Sequence, residues 1–182
     1  TFVLEQLLQQ GADGWVVTIW DPAAAQQCLQ AGIGGHVKLA VGGKTDDEHG
    51  TTQSISGTVG TLNDGAYEEF ERRHGGGRRH AQGLTAVVRV PCPNGNGLLV
   101  LNSERQSPNS IHQITSVGIV PQQQKILAAK GAIAPRAAYE PVSPHLIEVD
   151  SGGACWIGRG PEAYQRARQN LYEWTVTSTT GE

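Results

Sequence analysis

The chain opens on an apolar pattern with helical spacing. Phe2, Val3, Leu4, Leu7 and Leu8 recur as one face of a helix does, and Gly11 ends the pattern. Trp15 to Trp20 (WVVTIW) is a short, mostly apolar run, which predicts a buried strand. Asp21-Pro22 then starts a second helix. Asp21 suits the N-cap, Pro22 suits the first helical position, and an Ala-rich stretch carries the helix to Gly32.

The middle third switches to a two-residue period. His36 to Val41 alternates as a strand does, and Gly42-Gly43-Lys44 breaks it. A polar loop follows from Thr45 to Thr52. Ile55 to Leu62 is a second alternating stretch, closed by the turn Asn63-Asp64-Gly65. Arg72 to His80 (RRHGGGRRH) reads as a flexible basic loop at a hairpin tip. Leu84 to Val90 and Gly97 to Asn102 are two further strands, joined through PCPNGN as a hairpin. In the last third, Asn109 to Val117 suggests a short helix stopped by Gly118. Lys125 to Lys130 suggests a strand, Pro135 to Tyr139 a short helix or turn, and Leu146 to Val149 a strand. Glu162 to Tyr172 reads as a helical tail. The expected fold is α/β, a mixed sheet with flanking helices and antiparallel hairpins, with α+β as the runner-up.

Composition narrows the function classes. The 182 residues suit a single domain able to bury a sizeable core. With 38% hydrophobic and 17% charged residues the chain is globular rather than disordered. A net charge of −3 gives no electrostatic case for nucleic acid or an anionic membrane. No apolar run is long enough to span a bilayer. Cys28, Cys92 and Cys155 are odd in number and widely spaced, which reads as free thiols in a reducing, cytoplasmic setting. The chain has no Met and starts at Thr1 inside a helical pattern, so it is expected to be a piece of a longer protein.

Catalytic motifs are missing. The six histidines form no HExxH and no HxH pair. Asp46-Asp47-Glu48-His49 is a dense acidic patch with one imidazole, but zinc wants three or four convergent ligands. No GxSxG frames Ser103 or Ser107, and Cys155 has no His partner that spacing can name. The Arg/Gly/His loop can grip an anion or stay a solvated tip. Lys130-Gly131-Ala132-Ile133-Ala134-Pro135-Arg136-Ala137-Ala138-Tyr139-Glu140-Pro141 is more informative. A strand delivers Lys130 to its C-terminal end, where open α/β sheets bind ligands, and Lys130, Arg136 and Tyr139 can converge there on an anionic group. A rigid Pro-flanked turn is the equal alternative.

That segment, AKGAIAPRAAYEPV, resembles a signature near the end of MlrC-like (microcystin-degradation) metallopeptidases. WDPAAAQQCLQAGIGGHVKLAVGGKTDDEHG resembles the family's Asp-Pro helix, Gly-Gly-Lys turn and His-Gly loop. LTAVVRV and LLVLNSERQSPNSIHQITSVGI resemble its hairpin and following helix. The likeness runs over residues 1–150 and fades in a divergent tail from 151 to 182. It implies a zinc-dependent peptidase or amidohydrolase whose N-terminal domain, outside this chain, holds the zinc. This chain would be the accessory C-terminal domain that completes the cleft for a peptide or amide substrate. It implies no catalytic or metal residue here, and substrate-facing roles for Lys44, His49, Lys130, Arg136 and Tyr139. Ala134 and Pro135 depart from the His and Phe of some relatives. A non-catalytic anion- or peptide-binding module and a homodimerisation domain are the rival readings.

Overall fold

A computed structural model describes residues 1–46, 49–143 and 145–151. Residues Thr1–Val149 form one compact unit. The expected helix at 162–172 and Cys155 lie outside the described residues.

The first elements follow the sequence pattern closely. Helix α1 spans Phe2–Gln9, strand β1 Trp15–Trp20 and helix α2 Pro22–Ala31. Asp21 caps α2 by accepting the Ala24 N–H, and Pro22 fills the first helical position, where its missing N–H is harmless. Strand β2 is His36–Val41 and β3 is Gln53–Asn63. A short antiparallel pair follows, β4 (Ala66–Glu68) with β5 (Arg79–Ala81). The basic loop is therefore pinned at its base rather than open along its length. Strands β6 (Thr85–Cys92) and β7 (Gly95–Asn102) run further than expected, leaving only Pro93 and Asn94 between them.

The main sheet has six strands in the order β2-β3-β6-β7-β1-β8, where β8 is Ile126–Ala128. β1 is parallel to both β7 and β8, and the other pairings are antiparallel. This is the mixed sheet with antiparallel hairpins that the pattern predicts. β3 is bent by a register shift between Val59 and Thr61.

Both faces of the sheet are covered, which explains the continuous apolar runs. Trp15, Val17, Ala86, Val88, Leu99 and Leu101 point to one face and pack with Leu4 of α1 and Ala24, Ala25 and Cys28 of α2. Val16, Val87 and Val100, the residues between them, point to the other face. There they meet Ile114, Val117, Ile119, Ala138 and Tyr139.

Two expectations are corrected. The helix expected over 109–117 shrinks to one turn, α3 (His112–Thr115). Ser110 Oγ accepts the His112 N–H, a local bond that competes with helix propagation, and Gly118 turns the chain at φ 84°. The strand expected over Leu146–Val149 does not form. Leu146, Ile147 and Val149 are exposed, and no ladder reaches them among the described residues. No described helix is long and apolar enough to cross a membrane.

Candidate functional site

The C-terminal end of β1 delivers Trp20 and Asp21 to the start of α2. Asp21 is buried and makes four bonds. Its Oδ1 accepts from Ala24 N at 3.0 Å and from Lys44 Nζ at 2.9 Å. Its Oδ2 accepts from Gly42 N at 2.9 Å and from Lys44 Nζ at 2.7 Å. Burial pushes the Asp21 carboxyl up, but the Lys44 bond, the Gly42 and Ala24 amides and the Lys44 charge outweigh it and hold it below its ordinary value. The turn that presents Lys44 needs glycine. Gly42 and Gly43 sit at φ 65° and 59°, and a Cβ on Gly43 would overlap the Thr51–Thr52 main chain.

These groups line a cleft of about 530 Å³. Ile19, Trp20, Pro22 and Ala23 form its apolar wall, and Asp21, Lys44 and His49 its polar side. His49 is oriented by Asp46, whose Oδ1 accepts the His49 main-chain N–H at 2.9 Å and meets Nδ1 at 2.6 Å. That carboxylate selects the tautomer with the proton on Nδ1. Arg105 stacks on the Trp20 ring, 4.1 Å from its centroid, and the Trp20 indole donates to the Ser103 carbonyl.

Of the five residues singled out in the sequence, the fold brings Lys44 and His49 to one cleft. Lys130, Arg136 and Tyr139 are not on its walls. Lys130 is exposed after β8. Helix α4 is Arg136–Tyr139, and Arg136 forms ion pairs with Glu140 and Glu148. Tyr139 is buried in the second core cluster, and burial, helped by the nearby Tyr67, pushes its hydroxyl up to about 12. Asp21 and Trp20 were legible only as a helix cap and a strand end. No local signal reports that Asp21 holds a lysine 23 residues away.

The basic loop is organised by its own acids. Arg78 and Arg79 pair with Glu68, and Arg73 lies 3.6 Å from the buried Glu69. His80 stacks on Tyr67 with centroids 5.1 Å apart. Its Nε2 donates to the Gly77 carbonyl, and its Nδ1 accepts from Gln106. Gln106 also donates to the Tyr67 hydroxyl. Among the described residues, no three His, Cys, Asp or Glu side chains are arranged to hold a metal ion.

Comparison with known proteins agrees with this architecture. The family described as MlrC C-terminus matches residues 1–157. Microcystinase C of Sphingomonas sp is 27% identical over 134 residues, 73% of this chain and 24% of that protein. A crystal structure described as a putative metallopeptidase from Mesorhizobium sp. BNC1 shares the fold. Its TM-score is 0.67 at 17% identity, over 78% of this chain and 28% of that one. The chain thus spans about a quarter of the length of either relative.

Proposed function

The chain belongs to the family of MlrC C-terminal domains, and on that premise we propose that it is the accessory domain of a zinc-dependent peptidase or amidohydrolase. In this reading it contributes one wall of a substrate cleft, and a preceding domain of a longer protein holds the metal. The observation that carries the reading is the Trp20–Lys44 cleft at the C-terminal end of β1, where open α/β sheets take their ligands. The described residues do not fit a metal site, so no step is assigned to metal on this domain. A zinc held in the neighbouring domain would supply an activated water for amide hydrolysis.

The groups of this chain then bind and position. The Asp21 carboxylate fixes the Lys44 ammonium, and Asp46 fixes the His49 ring, so both meet a substrate without reorganising. The rival anion-binding reading draws less support. Arg73, Arg78, Arg79 and Arg136 each lie within ion-pair distance of a glutamate.

The test compares a longer protein carrying this domain with the same protein lacking it. Amide hydrolysis is followed, and bound zinc is measured by mass spectrometry. Loss of hydrolysis with zinc retained supports the reading. Undiminished hydrolysis, or one tightly held zinc per isolated chain, overturns it.

A further inference from the structure

Among the described residues, the polar side of the cleft is built around the ion pair of Asp21 and Lys44, with His49 and Thr1 beside it. The Asp21 carboxylate accepts four bonds, about as many as its lone pairs allow, so it has no capacity left for a ligand. The Lys44 ammonium has three N–H groups and gives two to Asp21. One N–H remains, and the Lys44 side chain is 40% exposed, so this donor reaches the cleft. Its charge is already matched by Asp21. Further out, the Arg105 guanidinium lies on the Trp20 ring, and the Asp46 carboxylate holds the His49 ring. Beside this donor stands an apolar wall of Ile19, Trp20, Pro22 and Ala23.

We propose that this cleft binds a neutral peptide segment, with a main-chain carbonyl oxygen accepting from Lys44 Nζ and a large apolar side chain lying against Trp20. It is not a site for a free carboxylate. A carboxylate would gain little from an ammonium already neutralised at 2.7 Å, and it would face the charges of Asp21 and Asp46. An amide carbonyl needs only the donor, and its side chain loses water against the wall. The inference rests on the reading of this cleft as the substrate surface, and it narrows what that surface accepts.

The experiment titrates the 182-residue chain with N-acetylated tripeptides carrying a central leucine, as C-terminal amides and as free acids. Amide-proton resonances of residues 19–23 and 42–45 are followed by NMR. Both forms should move the same resonances, with dissociation constants roughly in the millimolar range and within about twofold of each other. A central glycine should weaken binding about fivefold or more. Lys44→Met should weaken it too. Because that variant strips a buried carboxylate of its cation, Trp20→Ala gives an independent check that leaves the Asp21–Lys44 pair in place.

Free acids binding about tenfold more tightly than amides would overturn the inference while leaving the cleft a substrate surface. Equal affinity for glycine and leucine peptides would do the same by removing the wall's role. If neither class moved these resonances in the folded chain, the substrate-cleft reading would fall, and the inference with it.

Discussion

The guanidinium of Arg73 donates from Nη1 to the main-chain carbonyl of Ala137, joining the basic loop to the α4 turn across 64 residues of sequence. The same side chain faces Glu69, which is only 3% exposed. Burial pushes the Glu69 carboxyl up, but bonds from Ser110 and the Glu71 amide, with the charges of Arg73 and His112, hold it below its ordinary value. Arg73 thus ties together two segments that look independent in the sequence.

Arg73→Ala should destabilise the chain by roughly 2–3 kcal/mol, because a buried carboxylate loses its cation. Hydrogen exchange at Ala138 and Tyr139 should quicken, since α4 loses its anchor. Adding Glu69→Gln should recover part of the loss by removing the stranded charge. Urea denaturation of the three proteins checks this, and a loss below about 0.5 kcal/mol for Arg73→Ala would show that Arg73 does not stabilise the buried Glu69.

Asp21 predicts an acid-dependent difference. A carboxyl depressed in the folded state contributes stability that is fully present above its ordinary value of 3.8 and is lost as pH falls through the lower folded value. Asp21→Asn lacks that contribution. Near neutral pH the variant should be less stable by about 1–3 kcal/mol. The gap between wild type and variant should close as pH falls below the ordinary value. Urea midpoints measured down the acid limb read the gap directly; a constant gap would contradict the assignment.

Gly97 lies where β7 passes the Trp15 ring, and a Cβ there would overlap the indole. Its φ is not in the left-handed region, so the demand is for space alone. Gly97→Ala should cost about 2–3 kcal/mol and perturb the near-ultraviolet signal of the buried indole. Gly60 is the control, because a Cβ there would meet only the Val87 carbonyl oxygen, at 3.6 Å. Gly60→Ala should change stability by less than about 1 kcal/mol. Equal effects would show that the packing against Trp15 is not the cause.

The cysteines should differ in reactivity. Cys28 is fully buried on the inner face of α2, and burial pushes its thiol up to about 11. Cys92 is half-buried at the end of β6. A brief exposure to iodoacetamide at mildly alkaline pH, followed by peptide mapping, should label Cys92 and spare Cys28 until the chain is denatured. Labelling of Cys28 at the same rate as Cys92 in the folded protein would refute the burial argument.

The order of elements was readable because its signals are local. Asp21-Pro22 marks a helix start within two residues, and the period of an apolar run distinguishes α1 from β2 without knowledge of any partner. Sequence also carried the family resemblance, since it depends on ordered motifs rather than contacts. The short helix at 109–117 was overestimated because Ser110 bonds to the His112 amide, an alternative that periodicity does not report. The mostly apolar run Leu146–Val149 suggests a strand, but a strand needs a neighbour, and none pairs with it among the described residues.

By itself, then, the sequence determined the mixed α/β class, the caps and turns, and the buried runs that need cover on both faces. Only the tertiary structure decided which side chains share a site. Lys44 meets Asp21 and Arg73 meets Ala137 because of strand order and the bend in β3, over separations of 23 and 64 residues. Tyr139, grouped in sequence with Lys130 and Arg136, went to the core instead, because a ring beside the β1–β8 face gains more from leaving water than from reaching a ligand. Local propensity acts within a few residues. Convergence depends on the sheet that those residues build together.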